Sequence, residues 1–316
     1  MTEEVLSSKS PLSSKVRGPL SGESTASQIE YDWEHDYVIP NFQVFPASEE
    51  EYAAWLDRHG WKIKEFRERF WKKNHGFYEP VHWMARLHGD EVGKPCRCCW
   101  GYRATVEENN AHLANGSLPL HLFDEMKGFG AHRLCKTRRW DIRKCLKLME
   151  IVHIDNPEFL LKEGVDLFRA NYNRTRYGLL MSRNLYNKYI KRYFDNNFFC
   201  VLGGFIDGKL SAYMITFIIE STAYLDSIIM NESGRLAQAC TGLQFAMMKH
   251  LGRNNPEVVQ VVDGMHAREK PHLDRYKEKW GFRVAHIPSR YWFLPGTAAP
   301  LKFFWPDKFY RLTGQG

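Results

Sequence analysis

The sequence lacks the features that mark membrane-spanning and secreted proteins. Its 316 residues contain no uninterrupted run of about 18 apolar residues, so no membrane-spanning helix is expected. The first residues include Glu3 and Glu4 in place of an apolar core, which argues against a secretory signal. The seven cysteines are odd in number and irregular in spacing, which favours reduced thiols over a disulfide framework. Together these absences predict a cytoplasmic protein.

A recognisable metal motif is also lacking. Cys96, Cys98 and Cys99 lie close together, but structural zinc sites use Cys-x2-Cys or wider pairs, and no matching second pair follows. Buried thiols in a strand are the preferred interpretation, and no metal site is expected.

Aromatic residues, in contrast, are plentiful. Twenty Phe and ten Trp supply ample material for a core, and the length suits one large domain or two of ordinary size. Residues 1–30 are rich in Ser and poor in apolar residues, which predicts a disordered tail. Residues 31–136 are expected to form an N-terminal domain of unclear fold, with helices over 49–56 and 64–72, strands over 78–87 and 97–105, and a loop over 109–120.

Positive charge is concentrated in one segment. The net charge is +7, and eight Lys and Arg residues lie between Lys127 and Lys147, opposed only by Asp141. Clustered guanidinium groups suit phosphate or nucleic acid, because the Arg fork matches phosphate oxygens. The alternative is a solvated basic face of a helix.

The last third of the chain has the clearest pattern. An apolar run, Val258–Val262, ends at Asp263-Gly264 and predicts a buried strand with its exit turn. A helical segment follows over 269–280, and Gly281 lies where a helix C-cap needs a left-handed residue. Upstream, Asp207-Gly208 indicates a hairpin. The remaining expected elements are strands over 198–205, 210–219 and 224–230 and a helix over 235–251.

This order resembles the GNAT acyltransferase fold. The likeness rests on "GGFIDGKLSAYMI" for the hairpin and "LDRYKEKWGF" for the final helix and strand. It implies an α/β (α+β) protein in which residues 137–316 form a GNAT-like mixed sheet flanked by helices. The smaller N-terminal domain could then be degenerate.

A second segment is similar to the Fem-type branch of this fold. "HRLCKTRRWDIRKCLKLMEIV" resembles the pattern RR-x-x-IRKA, and the resemblance extends over residues 132–282. Fem-type proteins place two GNAT-like domains in tandem and move an aminoacyl group from tRNA onto a cell-wall precursor. The resemblance therefore implies tRNA and a small-molecule or cell-wall-precursor amine as partners. Its candidate phosphate contacts are Arg138, Arg139, Arg143 and Lys144.

The final helix bears on the acyl donor. Many GNAT enzymes that use acetyl-CoA have a Tyr four residues before the glycine, whereas this chain has Lys277 there and Tyr276 one residue earlier. Helical neighbours are turned about 100° apart, so Tyr276 cannot simply replace that Tyr, although it stays a candidate. An ammonium at Lys277 could stabilise negative charge in the transition state. The alternative is a solvent-facing helix lysine.

Three further residues are candidates for handling the amine. Asp263 lies at a strand end, where a carboxylate could orient an amine or receive its proton. His266 follows in the loop, and Asp226 is a charge inside an apolar strand, which is unusual. The alternatives are that Asp263 only forms a turn with Gly264, that His266 is an exposed loop residue, and that Asp226 lies in a strand at a sheet edge.

The segment that would bind the phosphates of a CoA donor is irregular. GNAT enzymes use Arg/Gln-x-x-Gly-x-Gly/Ala, and the nearest match places Thr241 at the first glycine. The candidate contacts are Ser233, Gly234, Arg235, Gln238 and Gly242. Arg174 and Arg176 lie in a loop that lines the acceptor side in GNAT folds, so they are candidates for holding an anionic acceptor.

The sequence thus predicts a GNAT-like N-acyltransferase with no tightly bound cofactor. Either acyl-CoA or aminoacyl-tRNA could be the donor substrate. The alternative is a non-catalytic GNAT-like protein that binds RNA or an acidic partner through its basic segment.

Overall fold

The computed structural model describes residues 42–176 and 180–315. The tail predicted to be disordered, residues 1–30, lies outside these ranges. The described chain is organised around one mixed sheet whose strands lie in the order β1-β2-β3-β4-β11-β5-β10-β9-β8-β7-β6. The strands are β1 Lys62–Phe66, β2 Arg69–Asn74, β3 Phe77–Pro80, β4 Gly101–Thr105, β5 Gly116–Phe123, β6 Glu150–His153, β7 Phe199–Ile206, β8 Lys209–Ile219, β9 Thr222–Met230, β10 Gln260–Met265 and β11 Arg283–Phe293.

Helices cover both faces of this sheet. The first begins after Ser48, whose hydroxyl accepts a hydrogen bond from the Glu51 backbone N–H, while the Glu51 carboxylate accepts one from the Ser48 N–H. Within the described ranges, no helix has the length and apolar character needed to cross a bilayer. The helices are α1 Glu49–Arg58, α2 Lys136–Leu148, α3 Val165–Thr175, α4 Arg183–Lys191, α5 Glu232–Leu236, α6 Ala239–Asn254, α7 Pro271–Glu278, α8 Ala298–Phe304 and α9 Pro306–Thr313.

The sheet contains the same strand pattern twice. In each half three antiparallel strands are followed by one parallel strand and then by a last strand: β1 to β5 in the first half, β7 to β11 in the second. The last strands are exchanged, because β11 pairs with β4, β5 pairs with β10, and β5 and β11 pair with each other. Each half therefore completes its hydrogen bonding with a strand of the other.

The two halves differ in the link between their parallel strands. α5 and α6 fill the link between β9 and β10, whereas residues 81–100, between β3 and β4, contain no helix. The expected domain boundary, between residues 136 and 137, falls in the first turn of α2. Strands from before and after it share the sheet.

Two apolar clusters lie on opposite faces of the sheet. One contains buried residues of α2 and α6 and Trp280, which follows α7; the other contains buried residues of α1, α3 and α4. Val261 belongs to the first cluster and its neighbour Val262 to the second, because successive strand residues point to opposite faces.

Most of the elements expected in the second half are confirmed. Asp207 and Gly208, with φ of 49° and 72°, form the hairpin between β7 and β8. Gly281 has a φ of 87° after α7. The predicted mixed sheet with flanking helices is present.

The helix predicted over 64–72 is wrong. These residues lie in the β1–β2 hairpin, whose turn residues Arg67 and Glu68 have φ of 53° and 60°. Turns of this kind are usually marked by Asn or Gly. Two charged residues in left-handed conformation give no such signal, and the four-residue spacing of Phe66 and Phe70 also fits a helix face.

Gly242 lies at a close contact between α6 and α2. A Cβ atom on Gly242 would lie 2.1 Å from Cys145 Sγ and 2.8 Å from Cys145 Cβ. Both residues are buried in the first cluster's interior. The absence of a side chain at Gly242 therefore sets the distance between the two helices.

We expect Gly242→Ala to lower the free energy of unfolding by about 1–3 kcal/mol, because the added methyl overpacks a closed contact. Urea denaturation of both proteins would measure the change. Adding Cys145→Ala should recover part of the loss, since it removes the sulfur atom nearest to the new methyl. A Gly242→Ala protein as stable as wild type would contradict the close packing.

Candidate active site

The sheet opens between β9 and β10. These strands pair in parallel over only three residues each, ending at Tyr224 and Val262. Beyond this point β10 loses β9 but keeps β5, and Met265 pairs with Leu120 of β5. A cleft therefore opens between the strand ends, and Asp263 is the first residue of β10 beyond the pairing. Ligands of α/β sheets bind at such carboxyl strand ends.

Asp226 lies at the same opening on β9, in a β-bulge. Ile215 of β8 pairs with Ser227, and the next residue, Thr216, pairs with Leu225. Asp226 is thus the extra residue, and its backbone groups have no opposite partner in the ladder. The bulge explains why the predicted charge sits inside an apolar strand.

Lys277 and Asp263 form an ion pair beside the cleft. Lys277 Nζ lies 3.4 Å from Asp263 Oδ1 and also donates a hydrogen bond to the Asp263 backbone carbonyl. The side chains are only 13% and 21% exposed. Burial raises the pKa of Asp263, and the charge of Lys277 acts against this rise. The structure thus brings together two residues that the sequence analysis singled out separately.

Asp226 faces the other side of the sheet, toward α1 and α4. Burial raises the pKa of Tyr52 of α1, of Tyr189 of α4 and of Tyr193, which follows α4, and the charge of Asp226 raises each further. These three tyrosines form an aromatic wall on this side of the sheet.

The Asp226 side chain is exposed to solvent. Desolvation by the surrounding protein raises its pKa, and the charges of Arg192 and Lys72 oppose the rise. Arg192 is itself engaged by the aromatic wall, since it donates to Tyr193 Oη at 2.8 Å and stacks on the Tyr189 ring at 4.2 Å. A carboxyl group accessible from one side and poorly solvated is suited to accept a proton.

A second polar network adjoins the Lys277–Asp263 pair. Asp274, one turn before Lys277 on α7, has Oδ2 3.1 Å from His266 Nε2 and Oδ1 3.3 Å from His121 Nε2. His266 Nδ1 lies 2.6 Å from the hydroxyl of Tyr310 on α9. The network therefore joins β5, α7, α9 and the loop after β10.

His121 is the most buried member of this network. It is 2% exposed, and its pKa is lowered to about 4, mainly by burial and then by the positive charge of Lys277. His266 is among the residues predicted from the sequence, whereas His121, Asp274 and Tyr310 are not. A histidine within the apolar run of β5 is the one signal that could have indicated a site.

The segment predicted to hold CoA phosphates forms a short helix, α5. Asn231 caps it by accepting from the Gly234 N–H at 2.9 Å, and it also accepts from the Ser233 hydroxyl at 2.8 Å. Arg235 pairs with Glu232 at 2.5 Å. A carboxylate at the start of this helix lies where a phosphate would be expected, which disfavours the predicted use of Ser233 and Arg235.

The two glycines of this prediction have packing roles instead. A Cβ on Gly234 would lie 2.4 Å from the backbone oxygen of Ser211, and Gly242 contacts Cys145 as described above. Gln238 has a φ of 62° and precedes α6. The glycines allow close approach of protein to protein, which accounts for both positions without a ligand, and the phosphate contacts at Gly234 and Gly242 stay predictions.

Arg138 is also placed differently from the prediction. It is 6% exposed, and its guanidinium bonds to Asp141 at 3.2 Å and lies 4.1 Å above the Tyr276 ring. A buried guanidinium held in this way does not suit contact with tRNA phosphates. The Tyr276 hydroxyl likewise donates to Cys240 Sγ at 3.1 Å, and burial raises its pKa further, so its position does not support the predicted catalytic role.

The other predicted basic contacts lie at two places. Arg139, Arg143 and Lys144 are on α2, and Arg143 is exposed. Arg174 and Arg176 are exposed at the end of α3, where Arg176 adopts a left-handed conformation with a φ of 54°. Their roles in substrate binding stay predictions.

A metal-binding cluster is not found in the part of the chain that the structure describes, where no three His, Cys, Asp or Glu side chains are grouped to hold an ion. A cavity of about 860 Å³ is lined by Asp124, Arg133, Asn255 and Val259, among others. It lies at the start of β10, away from the strand end that bears Asp263.

We expect the stability of the protein to fall between pH 6.5 and pH 4, in part through His121. Its folded-state pKa of about 4 is below the ordinary value of 6.5, so the unfolded chain binds more protons in this interval. The contribution is complete above pH 6.5 and is lost as the pH falls. Between pH 7 and pH 5, His121→Asn should reduce the drop in unfolding free energy by on the order of 1–2 kcal/mol.

Chemical denaturation at the two pH values would measure this difference. His82 and His250 titrate in the same direction and remain in the variant, so only the slope changes. The exposed His112→Asn is the matched control. An unchanged slope in the His121 variant would refute the assignment.

Comparison with known proteins places this geometry in a known fold. No family model and no curated protein matches the chain. Among solved structures, FemX shares 10% identity over 84% of this chain and 100% of its own, with a TM-score of 0.54. The C-terminal domain of a candidate lysylphosphatidylglycerol synthetase from Agrobacterium fabrum shares 12% identity over 83% of this chain and 92% of its own, with a TM-score of 0.53. A Bacteroides thetaiotaomicron protein of unknown function has a TM-score of 0.50, with 14% identity over 77% of this chain and 88% of its own. The predicted resemblance is thus confirmed at the level of the fold: the chain has a GNAT-like fold of the kind found in FemX.

Proposed function

We propose that this protein transfers an acyl group from an activated ester or thioester to an amine, in the cleft between β9 and β10. One observation carries the proposal. The parallel strands separate just before two carboxyl groups, the exposed Asp226 and the half-buried Asp263, which lie on opposite faces of the sheet. The two substrates could thus meet in the cleft from opposite sides.

Asp226 is the proposed proton acceptor on the amine side. An attacking amine must lose a proton as its nitrogen bonds to the acyl carbon, and a carboxylate with a raised pKa is a better match to that proton. The unpaired backbone groups of the bulge lie beside it and can hydrogen-bond to the acyl group.

Lys277 is the proposed stabiliser of the oxyanion. Nucleophilic attack places negative charge on the acyl oxygen, and a preorganised ammonium in a poorly solvated site lowers the energy of that state. The Lys277 ammonium has three donors. It donates one hydrogen bond to the Asp263 backbone carbonyl and lies near the Asp263 carboxylate. Asp263 therefore acts as a positioning residue that holds Lys277 at the cleft.

We further propose aminoacyl-tRNA, in preference to acyl-CoA, as the donor. α5, with its Glu232 carboxylate and closely packed Gly234, takes the place of an open phosphate-binding loop. Basic side chains on α2 offer an alternative surface for phosphates. One structural neighbour is named for a product that carries a lysyl group, which agrees with this choice.

Lys277→Met should reduce kcat of transfer by about 10²–10³-fold, the loss seen when one oxyanion donor is removed. Steady-state transfer from aminoacyl-tRNA to a primary amine would measure it. Lys279→Met is the matched control, since Lys279 is an exposed lysine two residues along the chain. Equal activity of the Lys277 and Lys279 variants would exclude the assigned role.

Asp226→Asn distinguishes proton transfer from charge stabilisation in the same assay. The wild-type rate should rise with pH through an apparent pKa above that of an ordinary aspartate, because desolvation by the surrounding protein raises the pKa of Asp226. The Asn variant should lose this rise. A variant that keeps the full pH profile would show that another group takes the proton.

The donor can be identified by binding. Calorimetry with aminoacyl-tRNA should show saturable binding that weakens with salt, and acetyl-CoA should give no heat of binding. Arg143→Glu with Lys147→Glu should weaken tRNA binding at least tenfold, because both side chains are exposed on α2.

Uncharged tRNA serves as the control for attraction to a basic surface. Saturable acetyl-CoA binding would replace the proposed donor. Binding of tRNA without transfer to any amine would favour the alternative function, a non-catalytic RNA-binding protein.

A further inference from the structure

The junction of α8 and α9 carries an exposed aromatic tip, formed by Phe303, Phe304 and Trp305. These side chains are 80%, 65% and 53% exposed. The rings contact one another, with centroids 4.9 Å apart between Phe303 and Phe304 and 5.9 Å apart between Phe304 and Trp305. Single exposed apolar residues are ordinary, but three contiguous aromatic side chains indicate an interaction surface.

The tip is held firmly by the helix that follows it. Phe309 and Tyr310 of α9 are buried, and the Phe309 ring stacks on Phe293 of β11 at 6.0 Å. Thr313, at the end of the helix, is fully buried. The aromatic tip is therefore a fixed projection from the sheet.

The same helix connects the tip with the candidate active site. The Tyr310 hydroxyl lies 2.6 Å from His266 Nδ1. Tyr310 is five residues beyond Trp305, which corresponds to about 8 Å along a helix axis. Whatever binds the tip thus lies close to the network around Asp274.

Charge around the tip is positive. Lys302 and Lys308 flank the three aromatic residues and are exposed. Lys308 Nζ lies 5.9 Å from the Trp305 ring centroid. The nearby carboxylate of Asp307 is neutralised by Arg268, with Nε 3.2 Å from Oδ1.

We propose that the aromatic tip docks this protein onto the surface of a bilayer that contains anionic lipids. Aromatic rings prefer the boundary between lipid head groups and acyl chains, and lysines beside them match anionic head groups. This inference is independent of the proposed acyl transfer.

Co-sedimentation of the full chain with vesicles tests the proposal. Wild-type protein should bind vesicles of phosphatidylcholine mixed with phosphatidylglycerol more tightly than vesicles of phosphatidylcholine alone. Replacing Phe303, Phe304 and Trp305 together with Ser should reduce the partition coefficient by about tenfold or more. Lys302→Glu with Lys308→Glu should abolish the preference for phosphatidylglycerol.

The matched control replaces three exposed apolar residues elsewhere, Leu148, Leu185 and Val259, with Ser. It should bind vesicles like wild type. Thermal unfolding should be unchanged in the aromatic variant, because the substituted side chains are exposed. Absence of vesicle binding by wild type would overturn the proposal. Equal losses of vesicle binding in the aromatic variant and the control would also overturn it. So would an aromatic variant that differs from wild type only in its oligomeric state, measured by light scattering.

Discussion

The short parallel pairing of β9 with β10 is the constraint on which the site depends. β10 bonds to β9 only up to Val262, whereas it stays beside β5 as far as Met265. β5, a strand of the other half, therefore supports β10 on one side after β9 has separated from it on the other. The exchange of last strands thus holds β10 in place where Asp263 emerges.

The groups around the cleft gain their chemistry from incomplete solvation. A buried ion pair such as Lys277–Asp263 contributes little net stability, because desolvation offsets much of the Coulomb attraction. The same desolvation raises the pKa of both aspartates and lowers that of His121. A fold selected for stability alone would place apolar residues here. The retention of charge at a strand opening is consistent with a site whose groups must exchange protons.

Much of the second half could be predicted from sequence because its signals are local. Asp263 follows an apolar run, and Lys277 and Gly281 belong to one helix and its cap, so spacing alone relates them. His121 and Tyr310 could not be assigned in this way, because His121 reaches Asp274 from the exchanged strand and Tyr310 reaches His266 from the last helix. The glycines of the expected phosphate segment are ambiguous for a related reason. A glycine that makes room for a neighbouring helix has the same sequence signal as one that makes room for a ligand.

The strand exchange has a consequence for how the protein folds during synthesis. Phe123 of β5 pairs with Val261 of β10, about 140 residues later in the chain. β5 must therefore leave the ribosome long before the strands on either side of it exist, with both of its edges unpaired. Such edges attract other chains, which makes the nascent first half a candidate substrate for chaperones. Truncation before β11 would also remove the strand that joins β4 to β5, so the first half of the sheet is continuous only when the final strand is complete.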